Sequence, residues 1–328
     1  MHAELTPSPS PKRIGRLAPS PTGALHVGNI RTFLYAWLQM RQCGGEVRLR
    51  IEDLDHPKHK PGAAEALVED LRWLGFDWDG PIVYQSQRHA LYRAALARLA
   101  PALYPCTCSR ADILGAQSAP HPGDVLRYPG TCRARGAEAR RLALTAHPLP
   151  AWRLALTEAD GGGFCDAFAG VFPKGAAETT GDFIVARSLD DAAPPTPETA
   201  EASYALAVVV DDAEMGITDV VRGDDILPAT PAQVVLYRRL GWPLPRFWHL
   251  PLVVGPDGRR LAKRHGDTRI CAYRAAGVEP GRLISALARA SGWLGPGESV
   301  ASLRELLPRF RPESLPRAPL VWSNALLD

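Results

Sequence analysis

Two groups of residues in this 328-residue chain have types and spacings that suit chemistry. The first is the loop Pro19-Ser20-Pro21-Thr22-Gly23-Ala24-Leu25-His26-Val27-Gly28-Asn29. Where such a loop feeds a helix, the helix end offers unpaired N–H groups and a positive dipole, a glycine lets a ligand approach the backbone, and a histidine can donate to a phosphate oxygen. His26 and Gly28 therefore suit nucleotide phosphates, although a His-x-Gly tetrapeptide by itself is more often a simple turn. The second group is Cys106-x-Cys108 with Cys132, three soft ligands for a tetrahedral zinc site that wants a fourth. Generic zinc chemistry nominates His121, since imidazole is a common ligand; the alternative to a metal is three free thiols. Cys43, Cys165 and Cys271 are scattered and read as packing residues.

The elements that must position the loop read clearly. Residues 14–18 form a short apolar strand before it, and Ile30, Phe33, Leu34, Trp37 and Leu38 repeat as one helix face after it. Gly44 and Gly45 stop that helix, and Val47, Leu49 and Ile51 alternate as a second strand ending at Glu52 and Asp53. A strand, loop, helix, strand unit closes with a right-handed crossover into a parallel sheet, whose ligands gather at the carboxyl ends of the strands. Helical patterns follow at 63–74 and 88–99. The stretch from 104 to about 180, with its cysteines and Gly/Pro-rich loops, reads as an insertion between two halves of the sheet. Residues 204–211 read as a buried strand, 230–240 as a helix and 249–254 as another strand, while the acidic segment 190–201 reads as a surface loop.

Composition sets the outer bounds. With 46% hydrophobic and 22% charged residues the chain is neither disordered nor fibrous, and six cysteines are too few for a disulfide scaffold. The longest apolar run, residues 204–210, is far below the ~20 residues that span a membrane. The N-terminus has no apolar signal-peptide core, so a soluble, cytoplasmic protein is expected. The net charge of +3 permits contact with nucleic acid without arguing for it. Only five of the 38 basic residues are lysines, Lys12, Lys58, Lys60, Lys174 and Lys263, which leaves 33 arginines.

Arg16 to Gly23, then Leu25 to Gly28, Arg31-Thr32, Leu49 to Asp53, Gly181 to Arg187, Tyr204, Asp211-Asp212, Val221 to Asp225 and Arg260 to Gly266 together resemble the class I glutamyl-tRNA synthetases over most of residues 13–270. The resemblance implies an α/β fold, a doubly wound, Rossmann-like parallel sheet with a zinc-binding connective insertion. It also implies activation of glutamate by ATP, with Mg2+, to glutamyl-adenylate. His26 and Lys263 would then be catalytic, and His26, Gly28, Asn29 and Lys263 would bind ATP. Arg16, Leu17, Ala18, Pro19, Ser20, Glu52, Tyr204 and Arg222 would bind glutamate, two cationic forks for its carboxylates and an anion for its ammonium. The sequence departs from the family where Asn29 replaces a histidine, Arg260 a lysine and Ala262 a serine. Tyr128 before Cys132 resembles the zinc site of a short branch, which would make the ligands Cys106, Cys108, Tyr128 and Cys132, with His121 as the alternative fourth.

The expected organisation is a disordered leader at 1–12, catalytic halves at 13–103 and 181–270 around a zinc-containing insertion at 104–180, and a short helical region at 271–328. After Arg264 the chain has 328 minus 264, or 64, residues, too few for an anticodon-binding domain. A catalytic core with this zinc pattern and no such module resembles the glutamyl-Q tRNA(Asp) synthetase family, which activates glutamate without tRNA and transfers it to queuosine in the anticodon of tRNA(Asp). A monomer with L-glutamate and queuosine-bearing tRNA(Asp) as partners, and no membrane, is expected. A truncated glutamyl-tRNA synthetase charging the 3' end of tRNA(Glu), a small nucleotidyltransferase and a non-catalytic zinc-containing RNA-binding protein are the alternatives.

Overall fold

A computed structural model of the chain describes residues 12–54, 61–115, 127–136, 138, 149–188, 196–259, 261 and 267–327. The expected leader up to residue 11, His121, Arg260, Ala262, Lys263 and Arg264 lie outside the described residues.

The apolar alternation at the start builds β1 (Ile14–Leu17), the loop leads into α1 (Val27–Gln42), and β2 (Glu46–Ile51) returns parallel to β1 with Leu17 opposite Leu49. A Cβ on Gly15 would lie 2.7 Å from Met40 Cγ, so the bare glycine sets how closely α1 lies on β1. There follow α2 (Ala63–Trp73), β3 (Val83–Tyr84) and α3 (His89–Leu99). Next come β4 (Leu103–Cys106), β5 (Ala151–Leu154), β6 (Phe164–Asp166), β7 (Gly170–Phe172), β8 (Ile184–Arg187) and β9 (Glu201–Ala202). The chain continues through α4 (Tyr204–Glu214), β10 (Asp219–Gly223), α5 (Thr230–Arg239), β11 (Arg246–Leu250) and β12 (Val253–Val254). It closes with α6 (Pro280–Ala290) and β13 (Leu320–Val321), which pairs with β12.

The main sheet has the order β3-β2-β1-β10-β11-β6-β7, parallel throughout except for the β6–β7 hairpin at its edge. Strand order reverses between β1 and β10, the switch point at which a doubly wound sheet opens a crevice. A separate antiparallel sheet, β4-β5-β8-β9, carries the cysteine region. The stretch 104–180 is thus shared, since β6 and β7 leave it to complete the main sheet.

Two strand expectations are corrected. Residues 204–211 are not a strand but the first turns of α4, whose Ser203 caps it by accepting from the Leu206 N–H. From Leu206 to Asp212 every residue is buried, and a continuously buried run has no alternation to tell helix from strand. The strand of the second half is β10 instead. Residues 249–254 divide into the end of β11 and β12, in different sheets, because Pro251 cannot donate to a ladder. Cys43 and Cys165 are exposed rather than packed.

Both faces of the main sheet are covered. Val221 and Leu250 join one core with α1, α2 and α6, while Val220 and Phe247 join the other with α3, α4 and α5. Among the described residues no helix is long and apolar enough to cross a membrane.

Candidate functional site

At the carboxyl ends of β1, β2 and β10 lies a cavity of about 600 Å³. Arg16, Ala18, Pro19 and Ser20 border it from β1 and its loop, Glu52 from the end of β2, Tyr204 from the first turn of α4 and Arg222 from β10. His26, Gly28 and Asn29 border it at the start of α1. The fold therefore brings together nearly every expected glutamate- and ATP-site residue described. Leu17 is the exception, its side chain fully buried in the core.

His26 is the N-cap of α1, its Nδ1 accepting the Gly28 N–H at 3.1 Å while Asn29 Oδ1 accepts the His26 N–H at 3.1 Å. An accepting Nδ1 leaves the ring proton on Nε2, so the imidazole is a neutral donor; burial lowers its pKa and favours the same form. A Cβ on Gly28 would lie 2.9 Å from His26 Cε1, so this glycine makes room for the capping ring. Asn29, which stands where the family has a histidine, completes a capping box. The segment after residues 260–266 docks on the same turn: Val27 donates to Thr268 O at 3.1 Å, and Ile270 donates to Leu25 O at 2.9 Å. Leu261, within that stretch, borders the cavity.

Below the cavity runs a buried charge network. Arg50, fully buried, donates through Nη1 to Asp212 Oδ1 at 2.6 Å and through Nη2 to Glu52 Oε1 at 3.0 Å. Arg16 reaches the same Asp212 oxygen at 3.4 Å and donates to Val221 O at 2.9 Å, which bridges β1, α4 and β10. Burial pushes the Asp212 carboxyl up, but Arg50 and Arg16 outweigh it and hold the group below its usual range. Burial pushes the Glu52 carboxyl up, and Arg50 only partly offsets this. Asp211 anchors the underside, accepting from Gln85 at 2.7 Å, Arg88 at 2.6 Å and Tyr92 at 2.9 Å.

Arg222 differs from these. Its hydrogen bonds go to the neutral acceptors His249, Thr230 and Gln233, at 2.9, 2.8 and 2.7 Å. Its Nη1 is buried without a partner among the described residues. A cation so placed at a cavity wall suits an incoming carboxylate.

In the second sheet, Cys106, Cys108 and Cys132 hold their three Sγ atoms within 4.8 Å of one another, a spacing a soft divalent ion can bridge. The Tyr128 hydroxyl lies 3.5 Å from Cys106 Sγ and 4.0 Å from Cys108 Sγ. It accepts the Cys132 N–H at 2.7 Å, and the Arg153 guanidinium lies 3.8 Å from the centre of its ring. The Cys132 N–H favours negative charge on the phenolic oxygen, but burial and the Cys106 contact push its pKa up further than this lowers it, so the phenol keeps its proton unless a metal ion displaces it.

Sequence reasoning missed Arg50, Asp166, Thr230, Gln233 and His249. Arg50 sits in the alternation Val47, Leu49, Ile51, where it reads as a solvent-facing position; in a parallel sheet covered on both faces that position is buried too.

The family model for the catalytic domain of class I tRNA synthetases, E and Q, matches residues 14–312. A relative from Symbiobacterium thermophilum named glutamyl-Q tRNA(Asp) synthetase is 47% identical over 320 residues, covering 93% of this chain and 94% of that one. One of the same name from Rhodopirellula baltica is 42% identical over 305 residues, covering 89% and 88%. The crystal structure of a glutamate-tRNA synthetase from Elizabethkingia anophelis superposes with a TM-score of 0.77 at 25% identity, covering 96% of this chain and 69% of that one.

Proposed function

This chain belongs to the class I tRNA synthetases for glutamate and glutamine, and from that premise we propose that it activates L-glutamate with ATP, independently of tRNA, and transfers the glutamyl group to the queuosine base of tRNA(Asp). The observation that carries the reading is the cavity at the switch point, where Arg16, Glu52, Tyr204 and Arg222 meet the N-terminus of α1.

In the first step a glutamate carboxylate oxygen attacks the α-phosphorus of ATP and pyrophosphate leaves. Negative charge grows on the phosphate, and fixed donors there lower the barrier. The α1 N-terminus and the Nε2–H of His26 supply such donors, with Lys263, between Leu261 and Asp267 in the sequence, as a further cation. Mg2+ accompanies the ATP phosphates. In the second step a queuosine hydroxyl attacks the acyl carbon and AMP leaves.

Arg16 and Arg222 serve the glutamate carboxylates, with Tyr204 beside them, and Glu52 serves the ammonium group. Glutamine would leave a buried arginine facing a neutral amide, and aspartate falls one methylene short. Zinc held by Cys106, Cys108, Tyr128 and Cys132 orders the second sheet and takes no part in either step. The protein acts as a cytoplasmic monomer.

Glutamate-dependent exchange of pyrophosphate into ATP, without tRNA, tests the activation step. Exchange with glutamate at least about 10²-fold above glutamine and aspartate is expected from the loss of a buried charge partner. Comparable exchange with either competitor, or none with glutamate, contradicts the reading.

A further inference from the structure

The base of Arg222 leads to two residues that no part of the proposed reaction uses. Arg222 Nε donates to His249 Nε2 at 2.9 Å. A guanidinium has only donors, so the nitrogen it faces must carry a lone pair. The ring proton of a neutral His249 is then on Nδ1, which lies 2.6 Å from Asp166 Oδ2. Asp166 is held in turn by the backbone N–H groups of His249 at 3.2 Å, Phe168 at 2.9 Å and Ala169 at 2.6 Å. All three side chains are at least 95% buried. The Thr230 hydroxyl sits 3.0 Å from His249 Nε2, and the Phe247 ring stacks on the imidazole with an interplanar angle of 22°.

We propose that Asp166 and His249 are positioning residues for glutamate recognition: Asp166 fixes His249 as the Nδ1-protonated tautomer, and His249 holds the Arg222 fork in its orientation at the cavity wall, with Nη1 left buried and without a partner among the described residues until a carboxylate arrives. The proposal rests on the function proposed above and deepens it. With Nε taken by His249 and Nη2 shared by Thr230 and Gln233, the only uncommitted edge of the guanidinium is Nη1. The opposite tautomer would set an N–H of the ring against an N–H of the arginine and turn the fork away. The relay crosses the sheet from β10 through β11 to β6. Its members are neutral at the arginine itself, so Arg222 keeps its charge for the substrate.

The test uses the wild-type protein and the His249→Leu and His249→Gln variants. Leucine removes the acceptor, whereas glutamine can place an amide oxygen near the position of Nε2. His249→Leu is expected to raise the KM for glutamate at least tenfold and to erode discrimination against glutamine by a similar factor, leaving the KM for ATP within twofold. His249→Gln is expected to recover most of both losses. Equal KM rises for glutamate and ATP, an unchanged KM for glutamate, or a glutamine variant as poor as leucine would each overturn the proposal. A second measurement does not depend on turnover or on the variants folding. The 15N imidazole spectrum of the wild-type protein should contain a signal pair with protonated Nδ1 and bare Nε2, assigned to His249 through its hydrogen bond to Asp166. A protonated Nε2 at His249 overturns the relay whatever the catalytic results; the expected tautomer in a protein that fails to activate glutamate would instead fault the proposed function and leave the relay standing.

Discussion

Around the switch point, Arg16, Arg50 and Arg222 are buried together with Glu52, Asp211 and Asp212, and their partners come from β1, β2, α3, α4, β10, α5 and β11. Among the described residues, the cysteine region of the second sheet rests on a core of Tyr104, Cys106, Ile113, Tyr128 and Cys132, most of them ligand candidates themselves. The first region can hold its charges in place before any ligand arrives, because each ion is fixed from several directions by elements with large cores of their own. Among its described residues the second has little apolar burial to offset the entropy of ordering its chain, which is why we propose that its order depends on what the thiols bind. Preorganisation belongs to the cavity, and metal dependence is what the proposal assigns to the cysteines.

The sharpest break of that comparison is at Arg50. Arg50→Met leaves the half-buried Glu52 without its cation and the buried Asp212 with Arg16 alone, and breaking a buried pair typically costs about 3–5 kcal/mol. Denaturant unfolding should show a loss of that size, and a loss below about 1 kcal/mol, the worth of an exposed ion pair, would mean the network is not the frame of the cavity.

Next in size are the phosphate donors. His26→Ala and Lys263→Ala are each expected to slow glutamate-dependent exchange by about 10²-fold or more, since such donors act on charge that grows in the transition state; Lys263→Ala should leave unfolding unchanged, whereas His26→Ala also removes the α1 cap at a cost of about 1 kcal/mol. Wild-type rates in both folded variants would remove the phosphate role from this loop pair.

For the cysteine region the signs reverse. Cys132→Ser should lose most of one bound zinc per chain by elemental analysis, and the segment between β4 and β5 should become open to protease, while exchange falls by less than about fivefold because the cavity has its own frame. A collapse of exchange to the level of His26→Ala would show that the two regions are not separable. Tyr128→Phe retaining full zinc affinity would remove the tyrosine from the ligand set.

The smallest effect is in pH. Burial holds the Glu52 carboxyl above its usual range, so as pH falls Glu52 takes up its proton earlier than an exposed glutamate and loses its charge for the substrate ammonium. The acid limb of kcat/KM for glutamate, which reports the free enzyme, should therefore lie above the ordinary carboxylate range, and Glu52→Gln should lower the value and flatten that limb. An unchanged limb in Glu52→Gln would assign it elsewhere.

Much of the cavity was legible in the sequence because its residues sit at strand ends and helix starts that local pattern reveals. Ile14 to Leu17, the Pro/Gly loop and the helix face from Ile30 mark one wall, and the family motif carries Arg222. The strand reading at 204–211 failed because Leu206 to Asp212 is buried without a break, which leaves no alternation to read, and the clue was Ser203, a good N-cap, ahead of a run that continues to Glu214. Asp166 and His249 were invisible because they meet only through the pairing of β6 with β11, a contact spanning 83 residues. The reach of β6 into the main sheet could not be read from a segment whose composition marks it as an insertion.

The account turns on the acceptor, and labelled glutamate tests it most directly. Purified protein with ATP and [14C]glutamate should label tRNA(Asp) that carries queuosine and not the same tRNA lacking it, and the label should persist after the 3'-terminal adenosine is removed. Labelling of unmodified tRNA(Glu) at its 3' end, with none on queuosine-bearing tRNA(Asp), would contradict the account.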